Sequence, residues 1–179
     1  MTITDTRGTM TGLDFFRKLL AGELPAPPML QLLGIRLVEV EHGRVVFAAR
    51  IEERFYNGTG VAHGGFAATL LDSALGCSIN TTTPAGRRFT TLELKVNLTR
   101  ALTVEVGDVF CEGKVLHVGR QTGVSEARIV DHRGKLYAHA TTTCIAIEVP
   151  QASQGSQGSQ GSQGSLGSLG SRGSAFPTG

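Results

Sequence analysis

Apolar residues recur along this chain with two different periods, and the changes of period divide it into elements. Leu13, Phe16, Leu19 and Leu20 fall at helical spacing after Thr11-Gly12, which predicts a short amphipathic helix ended by Leu24-Pro25-Ala26-Pro27-Pro28. A brief helical turn over Met29 to Leu33 leads into Gly34. The runs Ile35 to Val40 and Val45 to Ile51 have strand character, and Glu41-His42-Gly43-Arg44 between them reads as a hairpin turn. The period then lengthens. Ala67, Leu70, Leu71, Ala74, Leu75 and Ile79 mark a helix from Gly65 to about Asn80, apolar enough to be buried and small enough in places to let other backbone approach. Strand character returns over Phe89 to Leu98, Val104 to Val118, Gln121 to Val130 and Leu136 to Val149. Gly119-Arg120 and Asp131-His132-Arg133-Gly134 supply turns.

A hairpin, one long helix and a meander of four strands, without repeated βαβ units, predict an α+β fold in which an antiparallel sheet carries the helix on one face. Beyond Pro150 the pattern stops. Gly155, Gly158, Gly161, Gly164, Gly167, Gly170 and Gly173 recur every third residue, but no proline follows until Pro177. Without imino acids a collagen helix is not favoured, so the tract is expected to stay disordered and to carry no catalysis. The expected division is an N-terminal helix and proline-rich linker over 1–27, one domain over 28–150 and a tail over 151–179.

Composition bounds the function classes. At 179 residues, 40% hydrophobic and 18% charged, the patterned part is the length of one ordinary globular domain. No apolar run approaches the roughly 20 residues that cross a bilayer, so no membrane association is expected. Asp5 and Asp14 near the start do not fit a secretory signal, and a cytoplasmic location is expected. A net charge of +2 gives no nucleic-acid footprint. Cys77, Cys111 and Cys144 are widely spaced and lack a CxxC pair, so they are expected to be reduced, packed thiols with no metal between them.

The chemistry concentrates in Asn57-Gly58-Thr59-Gly60-Val61-Ala62-His63-Gly64-Gly65 and in Asp72. Two glycines opening a helix leave N–H groups unobstructed at the positive end of its dipole, a receptor for negative charge developing on oxygen. Their other use is a tight turn into the helix. His63 serves either a substrate or the helix start. Asp72 has Ala68, Thr69, Leu75 and Gly76 about one turn away, none of them basic, so no ion pair explains a carboxylate on this apolar helix; it is either an acid on a solvated face, of which this helix offers little, or a general base, the reading favoured here. These groups polarise a carbonyl and bring water to it. Gly64 and Asp72 are eight residues apart, which separates them by about 12 Å along a helix and by about 80° around it. One helix cannot bring both to one carbonyl, so the site is expected to lie between two copies of the chain, across a two-fold homodimer interface.

The order Asn57-Gly58, His63-Gly64-Gly65 and Asp72, continued by Thr90-Thr91-Leu92-Glu93-Leu94-Lys95-Val96-Asn97-Leu98-Thr99-Arg100 and by His117-Val118-Gly119-Arg120-Gln121-Thr122-Gly123-Val124, resembles the PaaI-type hotdog-fold acyl-CoA thioesterases over roughly Pro28 to Val149. The resemblance implies a curved antiparallel sheet wrapped around one long helix, a homodimer joined edge to edge, and often a homotetramer. It implies that Asn57 and the Gly64 N–H hold the thioester carbonyl, with His63 orienting the site and Gly65 also at the substrate. Asp72 from the partner subunit is the implied base or nucleophile, and Thr90 falls where the family carries a hydroxyl that positions water. No metal or cofactor is implied, coenzyme A entering only as part of the substrate. Arg120, like Arg87 and Arg88, is a candidate for the coenzyme A phosphates or simply a solvated arginine. Ala101 stands where the family commonly has proline.

Two other functions fit the same fold. A non-catalytic acyl-CoA-binding module would need an effector domain, which neither the short N-terminal helix nor the tail offers. Hydration of enoyl-CoA needs an acid and a histidine on one segment ahead of a helix, whereas here the histidine precedes the helix and the acid lies within it.

Overall fold

The computed structural model describes residues 8–149; residues 1–7 and 150–179, including the glycine-rich tract expected to be disordered, lie outside them. Among the described residues three helices, α1 (Gly12–Leu20), α2 (Pro28–Leu32) and α3 (Gly64–Asn80), accompany six strands. The strands are β1 (Arg36–Glu41), β2 (Arg44–Arg50), β3 (Arg87–Leu98), β4 (Asp108–Val118), β5 (Thr122–Asp131) and β6 (Leu136–Glu148). They form one antiparallel sheet in the order β1-β2-β4-β5-β6-β3.

That order corrects the expected four-strand meander. β4, β5 and β6 do follow one another, but β3 lies beyond β6 at the sheet edge, because the connection through α3 carries the chain from β2 across the sheet to its far side. A second correction concerns Val104 to Val118. Val104–Val106 is a 3-10 turn, and Gly107 at φ +71° breaks the run before β4 begins. The Val104 N–H donates instead to the Tyr56 hydroxyl at 2.8 Å, tying this segment to the loop that precedes α3.

α3 is buried through Phe66, Ala67, Leu70, Leu71, Ala74, Leu75 and Ile79. Most of these pack on Val45, Phe47, Val109, Cys111, Ile129, Ala138 and Ala140 of the sheet. Small residues let the helix sit close. A Cβ built on Gly113 would lie 2.2 Å from the Ala74 carbonyl oxygen, so α3 rests directly on the β4 backbone. The buried Ser125 hydroxyl donates to the Leu75 carbonyl at 3.1 Å.

α1 fastens the far end of α3. The Gly12 N–H donates to the Thr83 carbonyl at 2.9 Å, and a Cβ on Gly12 would fall 1.7 Å from the Asn80 carbonyl oxygen. Arg88, buried at 8% exposure, donates to Thr83 Oγ1, the Pro84 carbonyl and the Met10 carbonyl. Its guanidinium therefore fastens the N-terminal segment and does not face solvent as a phosphate ligand would. Among the described residues no helix is long and apolar enough to cross a membrane.

The close seat of α3 on β4 predicts that Gly113→Ala lowers stability by about 1–3 kcal/mol, as overpacking does. Urea unfolding reads this as a lower midpoint at an unchanged slope; an unaltered midpoint would contradict the contact.

Candidate active site

The N-terminus of α3 is built by the loop before it. Phe55 and Phe66 stack with ring centroids 4.3 Å apart, clamping the loop to the first turn of the helix. Tyr56 and Ala62 form an isolated antiparallel bridge, the Asn57 N–H donates to the Val61 carbonyl at 2.8 Å, and Gly60 turns at φ +78°. Within this turn Asn57 Oδ1 accepts from the Thr59 N–H at 2.9 Å and from Thr59 Oγ1 at 2.7 Å. The oxygen is thereby fixed, and the Asn57 amide N–H₂ is the end left to donate outward.

His63 is the N-cap of α3, and its Nδ1 accepts from the Gly65 N–H at 2.9 Å. The neutral imidazole must then carry its proton on Nε2, away from the helix. The Phe66 N–H donates to the His63 carbonyl at 2.9 Å. Of the first three amides of α3, only that of Gly64 has no acceptor among the described residues, where the dipole is most positive. The helix-start role weighed for His63 is thus the one it performs within the chain. Gly65, expected at the substrate, has its donor taken by the imidazole, and a Cβ there would press on His63 Nδ1 at 2.9 Å.

Asp72 is half-buried on α3, and its Oδ1 accepts from Thr91 Oγ1 at 2.9 Å. Thr90, the hydroxyl expected here, is exposed and points to the other face of β3, since side chains alternate along a strand. The sequence reading was one residue out of register, and only the strand's inward or outward phase could have chosen between two adjacent threonines. Behind Thr91, buried Cys144 lies with Sγ 3.9 Å from Oγ1. Burial pushes its thiol up, so it stays neutral beside Asp72.

Within one chain these groups occupy two separate places. Asn57 and Gly64 line a groove of about 340 Å³ together with Ala62, Leu98, Arg100 and Tyr137. Asp72 lines another, of about 470 Å³, between α3, α2 and Leu94 of β3. A larger hollow of about 530 Å³ lies over the Arg44–Glu112–Arg128 ion pairs and contains none of these residues. Arg120 is exposed in the β4–β5 turn, beside Gly123, whose position abuts Ile79 near the C-terminal end of α3. It lies at the opposite end of that helix from Gly64. Arg87 stacks its guanidinium 5.4 Å from the Phe89 ring centroid. Among the described residues no cluster of three or more His, Cys, Asp or Glu could hold a metal ion.

Residues 59–138 match the thioesterase superfamily. A protein of Saccharolobus solfataricus named as a proposed esterase is 32% identical over 115 residues, which cover 64% of this chain and 80% of that protein. This chain belongs to the thioesterase superfamily. The superfamily match takes in His63, Gly64, Asp72 and Thr91 but ends short of Asn57 and of α2. The 1,4-dihydroxy-2-naphthoyl-CoA hydrolase of Listeria monocytogenes is 27% identical over 106 residues, 59% of this chain and 85% of that protein. Among solved structures, the PaaI protein of the E. coli phenylacetic acid degradation operon has the same hotdog fold. Its TM-score is 0.67 at 22% identity, covering 74% of this chain and 94% of PaaI. A Streptococcus mutans protein bound to acetyl-CoA gives a TM-score of 0.59 at 26% identity, covering 64% and 90%. The architecture expected from the sequence is the architecture of this superfamily member, and thioester hydrolysis is the activity its family carries.

Of the two adjacent threonines, Thr91 is the one whose hydroxyl meets Asp72. Thr91→Val is expected to reduce thioester hydrolysis at least tenfold and Thr91→Ser to restore most of it, while Thr90→Val changes it less than threefold. Steady-state thiol release checks this, and equal losses at both positions would contradict the assignment.

Proposed function

We propose that this protein hydrolyses acyl-CoA thioesters to the free acid and coenzyme A, at two equivalent sites formed between the subunits of a homodimer. The observation that carries the reading is the pairing of an unsatisfied Gly64 N–H with a half-buried Asp72 carboxylate on one helix that turns them into different grooves. Each groove holds half of the groups that a thioester needs.

β3 supplies a way to join the halves. It is a 12-residue strand at the edge of the sheet, with one side unpaired, and an edge of this kind is a template for another strand. Gly64 lies under Leu98, since a Cβ there would meet the Leu98 Cδ1 at 2.8 Å, and Asp72 lies at Thr91. Antiparallel pairing of two β3 strands that sets Leu98 of one near Thr91 of the other, with the two-fold between Leu94 and Lys95, brings the partner's Gly64 toward Asp72. Exposed Leu92, Leu116, Ile145 and Ile147 extend the reading to a tetramer formed through further apolar contact.

In this reading the thioester oxygen accepts from the Gly64 N–H and from the Asn57 amide, which stabilises the charge that develops on it as the carbonyl carbon becomes tetrahedral. Asp72 of the other subunit delivers the oxygen nucleophile, by activating water or by direct attack. The Thr91 hydroxyl holds Oδ1, leaving Oδ2 toward the substrate. Collapse of the tetrahedral species expels the coenzyme A thiolate; with water as nucleophile this gives the free acid directly, and after direct attack a water hydrolyses the acyl-Asp72 anhydride to the acid and the restored carboxylate, with no cofactor in either route. Support for the coenzyme comes from the acetyl-CoA-bound structural neighbour and the CoA-ester hydrolase relative.

Asp72→Asn should reduce thiol release from a panel of acyl-CoAs by about a hundredfold or more, the scale of a lost general base. Undiminished release would sink the assignment. Mixing equal amounts of inactive Asp72→Ala and Asn57→Ala proteins should, after subunit exchange, restore about a quarter of wild-type activity. Half of the dimers are then mixed, and each mixed dimer holds one complete site out of two. No recovery after verified exchange would show that each subunit works alone.

A further inference from the structure

The groove that holds Asp72 has a feature the reaction itself does not use. Its floor is the outward face of α3, with Ala68, Thr69, Asp72, Ser73 and Cys77, and Leu94 of β3 stands on one side. The opposite side is α2, contributing Pro27, Met29 and Leu30. The lining is apolar apart from Asp72 and the Thr69 and Ser73 hydroxyls, and those two hydroxyls donate to the helix carbonyls of Gly65 at 2.9 Å and Thr69 at 2.8 Å. Such a lining suits the hydrocarbon part of a substrate, and a carboxylate on its floor marks where the reacting carbon lies.

α2 is built as a fixed wall. Pro27 caps it and Pro28 opens it, with φ preset by both rings. Gln31 Nε2 donates to the Ala26 carbonyl, the Ile35 N–H donates to the Leu30 carbonyl at 2.9 Å, and Leu30 is buried at 7% exposure in the main core. Met29, one residue earlier, is 52% exposed and turns to the groove.

Resting on the reading above, in which the partner's Gly64 holds the thioester oxygen from beyond the β3 edge, the acyl group must run away from that edge, across α3 and toward α2. We propose that α2 is the end wall of the acyl pocket, and that Met29, the exposed side chain it turns into the groove, sets the longest acyl group hydrolysed. Each methylene buried before that limit strengthens binding about fourfold, and those beyond it gain nothing.

Cys77 on the floor reports occupancy directly. The chain's other two cysteines, Cys111 and Cys144, are buried with thiols pushed up by that burial, so a thiol reagent applied to the folded full-length protein reads Cys77. S-hexyl-CoA, a thioether that cannot be hydrolysed, should slow Cys77 labelling at least fivefold relative to the same saturation of coenzyme A itself. Equal protection by the two, or none by either, overturns the pocket. In hydrolysis, kcat/KM over a series of straight-chain acyl-CoAs should rise with chain length and then break downward. Met29→Ala should raise the decanoyl-to-hexanoyl ratio at least fivefold, and Met29→Phe should move the break to shorter chains. Opposite shifts in the two variants cannot come from partial unfolding. A chain-length profile indifferent to both substitutions overturns the role of Met29 while leaving the thioesterase reading intact. Absence of thiol release from every acyl-CoA would instead overturn that reading, and the labelling result would still decide whether the groove takes an alkyl group.

Discussion

The central helix is a rigid rod that carries an amide donor at one end and a carboxylate eight residues further on. About 12 Å and about 80° separate them, and a hydrogen-bonded helix of 17 residues does not bend to close such a gap. The rest of the molecule is arranged around that separation. The donor lies in one groove with Asn57 and the carboxylate in another with α2, and in the proposed dimer each groove is one half of a site. The edge strand β3 runs past both, with Leu98 beside Gly64 and Thr91 at Asp72. A two-fold axis near the middle of this strand would convert two incomplete halves into two complete sites.

Local chemistry then prepares each half. At the helix start, the His63 imidazole takes the Gly65 amide and the His63 carbonyl takes that of Phe66, which leaves the Gly64 amide without an acceptor among the described residues. At the other pole, the Thr91 hydroxyl fixes one oxygen of Asp72 while the neutral thiol of Cys144 lies behind it. Both poles depend on the same packing: Gly113 and the small inward residues of the sheet let α3 lie close to the strands, and the Phe55–Phe66 stack sets the angle at which the loop delivers Asn57.

Much of this was legible in the chain because it rests on local signals. The period of Ala67, Leu70, Leu71, Ala74 and Leu75 identified α3, the glycine pair marked its start, and Asp72 stood out as an acid without a neighbouring base. What failed depended on relations between distant segments. The place of β3 beyond β6 follows from a crossover that no strand records in its own residues. The choice of Thr91 over Thr90 depends on the phase of a strand against a helix 19 residues away. Arg88 looked like a free cation but is drawn inward by the carbonyls of Met10 and Pro84, and Gly65 looked like a free donor but is capped by the side chain before it. The groove behind Asp72 was likewise invisible, because its two walls come from Met29 and Leu94, 65 residues apart.

The divided site is tested most directly by a crystal structure of the protein with S-hexyl-CoA bound. The account predicts a dimer paired through β3, with each sulfur placed within about 4–5 Å of the Gly64 amide nitrogen of one subunit and the Asp72 carboxylate of the other. A thioether held between Gly64 and Asp72 of the same chain, or a dimer in which these groups open onto unrelated surfaces, would contradict it.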